Sequence, residues 1–159
     1  MAMKEATPDL RWRQTHLGQM LQRASRRFDA RVLAVTARNV DLALSLANLA
    51  GRGALTASHV HITRHLPLDG CGLTELAQRA GVSKQAMGKL VDQCCAWDLV
   101  RREPDPRDAR AIRIVFTTSG LQWLSAYAQG VQQAQAEFAA AVGAEVATVV
   151  QLGLEAYTS

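Results

Sequence analysis

Residues 73–120 read LTELAQRAGVSKQAMGKLVDQCCAWDLVRREPDPRDARAIRIVFTTSG, and this stretch decides the fold. Its first part, Leu73–Ala80, has apolar residues at helical spacing, with Thr74 as a candidate cap. Gly81 is typical of a residue that follows a helix, and Ser83 can cap a second helix. A helix, a turn with glycine and another helix together predict a helix-turn-helix, the layout that places its second helix in the major groove of DNA.

The second helix is predicted from Lys84 to Asp98 and is amphipathic. Its inward face carries Ala86, Met87, Leu90, Val91, Cys94 and Trp97. Its outward face and its cap carry residues suited to DNA, namely Ser83, Lys84, Gln85, Gly88 and Lys89. Gln85 can pair with an adenine edge, the lysines and the Ser83 cap can reach phosphate, and Gly88 would let the backbone approach the groove. From this helix alone, an ordinary amphipathic helix with a solvated face remains an equal alternative.

A β-hairpin is predicted directly after this helix. A strand begins at 101–103, Pro104 and Pro106 interrupt the chain, and residues 109–116 alternate in a β-prone pattern. A hairpin beside a recognition helix is the wing of a winged helix, and its tip would enter the adjacent minor groove of DNA. The arginines expected to do so are Arg107, Arg110 and Arg113. We interpret Asp108 as an intramolecular partner that holds an arginine of the wing in one pose.

The order and spacing of these residues resemble the MarR family of bacterial transcriptional regulators. The run DPRDAR at 105–110, with the later Ile114, Phe116, Thr117 and Gly120, is similar to the family pattern D-P-x-D-x-R-x-x-x-V-x-L-T-x-x-G. Residues 76–92 resemble the helix-turn-helix of the same family. The chain departs from the family at Cys94, where Leu is usual, and at Asp98, where Gly is usual. Because aspartate tolerates the left-handed backbone conformation, we expect the turn at Asp98 to be kept.

The resemblance implies a mainly α fold with a small β-hairpin wing, in which a winged helix-turn-helix is flanked by N- and C-terminal dimerisation helices. The expected division is an N-terminal helical dimerisation region at 1–54, a DNA-binding domain at 55–118 and C-terminal dimerisation helices at 119–159. It implies a cytoplasmic transcriptional repressor that binds a pseudo-palindromic site in double-stranded DNA as a homodimer. A small aromatic or anionic ligand would release or modulate it, and no cofactor is implied.

Apolar helical stripes at both ends of the chain fit this division. The first helix is predicted from about Asp9, with the stripe Leu17, Met20, Leu21, Ala24, Phe28, Val32 and Val35. Val40–Ala50 either extends it or forms a second helix. After the wing, Thr118 or Ser119 would cap a long helix with the seam Leu121, Leu124, Ala128, Val131, Gln135, Phe138 and Val142, and a last helix would follow at 144–157. A compact winged helix cannot bury all of these stripes, so we expect two-fold pairing.

Charge and composition are consistent with a nucleic-acid partner. The 159 residues carry a formal net charge of +4, and their hydrophobic content of 48% suffices for a core. The first helix carries a strongly basic face, which is either solvated or in contact with phosphate: Arg11, Arg13, Arg23, Arg26, Arg27, Arg31 and Arg38. We find no signal pattern, no apolar run of ~18 residues and no catalytic constellation, so we expect neither a membrane span nor an enzyme.

The effector site and the sensing chemistry are the least defined parts of the sequence. We predict a ligand cleft lined by Trp12, His16, Phe28 and His59. His61 and His65 have a spacing able to hold a metal, but no Cys, Asp or Glu lies beside them, so we expect no metal. Two alternatives stay open: a winged helix used to bind proteins, and a redox sensor built on Cys94 or Cys95, which would need an exposed sulfur of low pKa.

Overall fold

The computed structural model describes residues 11–42, 44–51 and 53–159, except for the side chains at positions 57, 58, 61 and 109. The described chain is mainly helical with one small antiparallel sheet, as predicted. Its elements in chain order are α1 Trp12–Thr15, α2 Leu17–Thr36, α3 Leu44–Gly51, α4 Ala57–His65, β1 Cys71–Gly72, α5 Leu73–Arg79, α6 Lys84–Ala96, β2 Val100–Asp105, β3 Asp108–Phe116, α7 Thr118–Val142 and α8 Ala144–Thr158. We call α4–α6 with the three strands the winged lobe, and the remaining helices the terminal helices.

The sheet of the winged lobe has the strand order β1-β3-β2. The predicted hairpin is confirmed as β2 and β3, which pair from Val100 opposite Phe116 out to Asp105 opposite Asp108. The third strand, β1, was not predicted from the sequence. In β1, the buried Cys71 lies opposite Ile114 of β3. A strand of two residues is too short to show the alternating pattern from which strands are predicted.

The helix-turn-helix prediction is confirmed by α5 and α6. Gly81 has φ +65°, a conformation that glycine adopts without strain, and it ends α5. The cap predicted for α5 was wrong. The N-cap residue is Gly72 rather than Thr74, and no side chain caps this helix start. Helix α6 stops at Ala96, and Asp98 then takes φ 56°, so the left-handed turn expected at this position is present.

The N-terminal segment contains three helices where one or two were predicted. The chain breaks between α1 and α2 at His16, whose backbone is extended with ψ 156°. Helix α3 is a separate helix rather than an extension of α2. On α2 the predicted stripe divides into two parts: Val32 is fully buried, whereas Leu17 and Met20 are 66% and 51% exposed.

Helix α7 crosses α2 at a close contact that depends on Gly130. A methyl group at this position would lie 2.7 Å from the Thr36 hydroxyl oxygen and 2.8 Å from the Val32 carbonyl oxygen. The close crossing rotates Trp123 and Tyr127 into the core, so they form the buried face of α7. The predicted seam lies beside this face, and its first and last members, Leu121 and Val142, remain exposed.

The start of α7 differs from expectation, whereas its end before Gly143 is as predicted. Its cap is Thr117, whose hydroxyl accepts the Gly120 N–H at 2.9 Å, rather than Thr118 or Ser119. At its other end Gly143, with φ 92°, redirects the chain into α8, which has no buried residue. Among the described helices none is by itself long and apolar enough to span a bilayer, and α7 with α8 meet those criteria only as a pair bent by 117°.

Candidate nucleic-acid interface

The recognition helix α6 presents most of its predicted polar residues to solvent. Ser83 caps it, with its hydroxyl accepting the Ala86 N–H at 3.1 Å. Lys84, Gln85 and Lys89 are all exposed on its first three turns. The helix is anchored from beneath by three buried residues of the predicted inward face, Met87, Val91 and Cys94. Ala86 was assigned to that face incorrectly and is exposed.

Gly88 occupies a different position from the one predicted. It is half-buried and lies against α5, where a methyl group would sit 3.8 Å from Cδ2 of Leu73. That distance is an ordinary van der Waals contact, so the site has room for an alanine. Gly88 therefore packs against α5 without a close approach that requires glycine. A DNA contact at Gly88 stays a prediction.

The tip of the wing is shaped by two aspartates that bind the backbone. The Arg107 N–H donates to Asp105 Oδ1 at 2.8 Å, and the Arg110 N–H donates to Asp108 Oδ1 at 3.0 Å. Asp108 therefore holds the main chain at Arg110, where the sequence predicted that it would hold a guanidinium. The side chains of Arg107 and Arg110 are exposed, and within the described part of the chain neither forms an ion pair.

Arg113 lies at the root of the wing rather than near its tip. Its guanidinium donates to Glu103 Oε1 at 3.0 and 2.6 Å and to the Asp69 carbonyl oxygen at 3.1 Å. Hydrogen bonds from Arg113 and then Arg101 lower the pKa of the Glu103 carboxyl. Arg113 therefore forms hydrogen bonds within the protein that the sequence pattern did not reveal. These bonds make its guanidinium less available to DNA than those of Arg107 or Arg110.

A cleft of about 440 Å³ separates α6 from the wing. Lys84 and Arg102 stand on its two sides, and Leu73, Ile112 and Ile114 contribute apolar surface. Arg102 is held by Asp92 of α6 at 2.7 Å, which ties the wing to the recognition helix. Arg102 was not selected from the sequence, because only its pairing with Asp92 across two elements shows what it does.

Both ring nitrogens of His59 form hydrogen bonds within the winged lobe. Its Nδ1 accepts the Thr56 N–H at 3.0 Å, so Nε2 carries the proton and donates to Gln93 Oε1 of α6 at 2.8 Å. Its ring also packs on Trp97, with 4.7 Å between centroids. The pattern Thr56-x-x-His59, a cap with a polar residue three positions later, is a capping box that the sequence analysis could have found.

The four residues of the predicted effector cleft are not brought into one group by the described contacts. Trp12 and His16 are exposed neighbours, with ring centroids 6.4 Å apart. Phe28 is half-buried on α2 and packs against the core, whereas His59 is buried on α4. The expectation that His61 and His65 hold no metal stays an expectation, because the side chain of His61 lies outside the described part of the structure.

Neither cysteine of the recognition helix lies in an activating environment. Burial raises the pKa of the Cys94 thiol to about 12. Burial also raises the pKa of the half-buried Cys95 thiol, although Arg102 approaches its sulfur at 3.8 Å and acts in the opposite direction. A redox sensor needs an accessible thiolate, so these environments favour a packing role for both residues.

Comparison with known proteins agrees with this architecture. Residues 55–111 match the family model of the MarR family. No curated protein matches the chain in sequence. Among solved structures, the fold resembles the transcriptional repressor CouR bound to a 23-mer DNA duplex, with a TM-score of 0.65, 17% identity, and coverage of 97% of this chain and 100% of that chain.

Two further structures are similar. Wild-type MarR of E. coli in its apo form has a TM-score of 0.62 and 21% identity, over 89% of this chain and 96% of that one. BpsR of Bordetella bronchiseptica, from a structure that addresses regulation of its DNA binding by 6-hydroxynicotinic acid, has a TM-score of 0.60 and 17% identity, over 97% and 99%. At these identities the likeness shows a shared fold. The model of the MarR family therefore matches residues 55–111, and the described chain shares the fold of these solved regulators.

Proposed function

We propose that this regulator is a homodimeric repressor that recognises a pseudo-palindromic DNA sequence and is released by a small anionic or aromatic ligand. The proposed parts are a DNA-binding domain at 55–118 between dimerisation regions at 1–54 and 119–159. Ser83, Lys84, Gln85 and Lys89 are proposed to contact DNA from α6, and Arg107 and Arg110 from the wing. DNA contacts of Gly88 and Arg113 stay predictions, since Gly88 is half-buried and Arg113 is held by Glu103. Asp108 is proposed to support the wing tip by holding the main chain at Arg110.

One observation carries the proposal: two separate elements present cations that no acidic side chain neutralises within the described chain. Lys84 and Lys89 lie exposed on α6, and Arg107 and Arg110 lie exposed at the wing tip. Nearby arginines in the same lobe are paired, since Arg101 and Arg113 share Glu103. An anion is therefore the partner that these four side chains lack, and a duplex offers phosphates at both a major groove and the adjacent minor groove.

The homodimer is supported by the terminal helices, whose apolar side chains are left outside the core of one chain. Val149 of α8 is 68% exposed, Leu152 is 59% exposed and Leu17 of α2 is 66% exposed. Large apolar side chains left exposed along a helix in this way are typical of a protein interface. A second copy would cover it, and two-fold symmetry would place two recognition helices about one turn of DNA apart.

Charge complementarity also favours a second copy as the partner of these helices. Between Thr118 and Thr158 the sequence contains Glu137, Glu145 and Glu155 and no Lys or Arg. Helix α2 is the opposite, with several arginines against the single Asp29. Exposed apolar side chains accompany glutamates on α8 and arginines on α2. An α8 helix from one copy and an α2 helix from the other are therefore complementary in charge.

Three of the four predicted effector residues remain candidates. Trp12 and His16 are exposed, and Phe28 is half-buried on α2. His59 is a weaker candidate, because both of its ring nitrogens already have partners. The regulation by 6-hydroxynicotinic acid addressed for BpsR shows that this fold can serve ligand response, and we propose an anionic or aromatic ligand here by that likeness.

The test is binding of the purified protein to the DNA upstream of its own gene, titrated across salt beside a scrambled duplex. We expect tight binding to the upstream DNA that weakens steeply as salt is raised, because each neutralised phosphate releases counterions. Weak and equal binding to both duplexes, with no improvement after removal of bound small molecules, would contradict the proposal and favour a protein-binding winged helix. Sedimentation of the same complex measures whether two chains bind each duplex.

A further inference from the structure

A polar cluster joins the winged lobe to the terminal helices. Arg64 of α4 donates to Asp29 Oδ1 of α2 at 2.8 Å, and its guanidinium lies close to the side chain of Tyr127 of α7. We call Asp29, Arg64 and Tyr127 the inter-lobe cluster. The Asp29 side chain is 15% exposed and Tyr127 is buried, whereas the Arg64 side chain is 49% exposed and reaches the pair from solvent.

A second bond lies beside the cluster and crosses the same junction. The Trp123 Nε1–H of α7 donates to the Thr63 hydroxyl of α4 at 3.1 Å, and Trp123 is almost completely buried. Thr63 is the immediate neighbour of Arg64, so one turn of α4 is fastened to both α2 and α7. The directional bonds of this turn fix an orientation that the apolar core alone leaves adjustable.

The inter-lobe cluster differs from the other ion pairs of the described residues in what it connects. Arg31 and Glu137 join α2 to α7 within the terminal helices, and Arg102 and Asp92 join β2 to α6 within the winged lobe. Among the ion pairs of the described residues, Arg64–Asp29 is the only one that links an element of the lobe to a terminal helix. Asp29 lies on α2 and the neighbouring Tyr127 on α7, so the Arg64 guanidinium lies against two terminal helices.

We propose that the inter-lobe cluster sets the orientation of the winged lobe on the terminal helices, and thereby the spacing of DNA half-sites that the dimer accepts. Asp29, Arg64 and Tyr127 are positioning residues that do not touch DNA. The spacing part of this inference rests on the proposed function, because it requires a dimer that binds two half-sites. The orientation part concerns one chain and can be tested without DNA.

The spacing test uses duplexes whose two half-sites are moved apart or together by one or two base pairs. We expect the parent to prefer one spacing by on the order of tenfold, and Arg64→Met to reduce that preference to about threefold or less. Methionine keeps the apolar stem of the side chain and removes its hydrogen bonds. Asp29→Asn should act in the same direction, and the double variant should change the preference little beyond Arg64→Met, because the two residues share one interaction.

Two variants separate positioning from simple loss of stability. Glu137→Gln breaks the Arg31–Glu137 pair, which has similar geometry but stays within the terminal helices, so the spacing preference should not change. Arg64→Lys keeps the positive charge beside Asp29 but replaces the planar guanidinium with a single ammonium, and we expect an intermediate spacing preference. Thermal unfolding of each variant checks that it is folded at the temperature of the binding assay.

The DNA-free test follows the indole proton of Trp123 by NMR, with Trp123→Phe used to assign its resonance. We expect Arg64→Met to speed hydrogen exchange of this proton by at least about tenfold, and Glu137→Gln to leave it unchanged. An unchanged Trp123 proton in Arg64→Met would overturn the inference, and so would an unchanged spacing preference. If the parent binds no DNA, the proposed function fails, and the indole measurement alone then decides the orientation role.

Discussion

The winged lobe and helix α8 differ in which side chains they leave exposed to solvent. In the lobe, Leu76, Met87 and Val91 have no measurable exposure, and the groups left outside include cations such as Lys84 and Arg110. In α8 no residue is buried, and the exposed side chains are mostly aliphatic. The lobe thus completes its core within one chain and directs charge outward, whereas α8 leaves its apolar side chains for another surface to cover.

The largest expected effect tests whether the lobe is closed within one chain. At Gly120, where the wing leads into α7, a methyl group would lie 1.9 Å from the Leu99 carbonyl oxygen. Gly120→Ala should therefore lower the free energy of unfolding by at least about 3 kcal/mol, because backbone must move to relieve the clash. Urea unfolding measures this loss, and the loss itself should not depend on protein concentration.

A matched glycine shows whether the clash or the loss of glycine is responsible. Gly72 has an ordinary negative φ of −70°, and a methyl group there would meet nothing within 4 Å. Gly72→Ala should change the free energy of unfolding by less than about 1 kcal/mol. Equal destabilisation by the two substitutions would show that the packing at Leu99 is looser than the structure has it.

The second prediction concerns the other side of the comparison. Val149→Asp places a charge on the exposed apolar surface of α8, and we expect the dimer dissociation constant to rise about 100-fold, since burying an unpaired carboxylate is costly. Sedimentation equilibrium measures the change. Leu68 of the winged lobe is 72% exposed, close to the 68% of Val149, so Leu68→Asp is a matched control that should leave assembly unchanged. A shift of the same size in both variants would contradict the division between the regions.

The third prediction compares arginines on the two regions. Arg110→Ala should weaken operator binding about 10- to 30-fold and reduce the salt slope by about one, because a phosphate or groove contact is lost. Arg26 on α2 is equally an exposed arginine, and Arg26→Ala should weaken binding less than about threefold. Fluorescence anisotropy with labelled operator measures both, and equal affinities of Arg110→Ala and the parent would count against the wing contact.

A neighbouring substitution sharpens the same measurement. Gln85→Ala should mainly relax sequence preference, because a glutamine reads base edges rather than phosphates. The ratio of affinities for operator and scrambled duplex should therefore fall more than the affinity for the scrambled duplex changes. If both affinities fell together, Gln85 would belong with the backbone contacts.

The smallest expected effect concerns acid stability of the terminal helices. Hydrogen bonds from Arg31 and then Gln133 lower the pKa of Glu137 from its ordinary 4.5 to about 2. A lowered pKa contributes stability above the unfolded value, and this contribution is lost as pH falls from about 4.5 toward 2. The parent should therefore lose more unfolding free energy across this range than Glu137→Gln, as followed by urea unfolding at several pH values. Identical pH dependence would mean that the Arg31 pair is screened by solvent.

The sequence was most informative where local chemistry alone determines structure. Ser83 as a cap, Gly81 as a helix end and the hairpin around Pro106 depend on a few neighbouring residues, and all three were predicted correctly. The left-handed turn at Asp98 is also a local property, because the backbone conformation is limited by the residue that adopts it.

Contacts between distant elements were not predictable in this way. The buried face of α7 was misplaced because it depends on how closely α2 approaches at Gly130, which no periodicity in α7 reports. Arg113 was assigned to DNA because the pattern gave an arginine in the hairpin, while its partners Glu103 and Asp69 are fixed by strand register and by β1. Charge counts along a sequence cannot distinguish a paired arginine from an available one.

The unbroken course of α7 has a mechanical consequence. Its 25 residues form a rod about 37 Å long, which starts against the wing and ends at α8. A tilt of about 3° about one end of such a rod displaces the other end by about 2 Å, roughly the scale of a hydrogen bond. A small rotation of α7 among the terminal helices would therefore be enough to displace the wing by a distance that matters for a hydrogen bond to DNA.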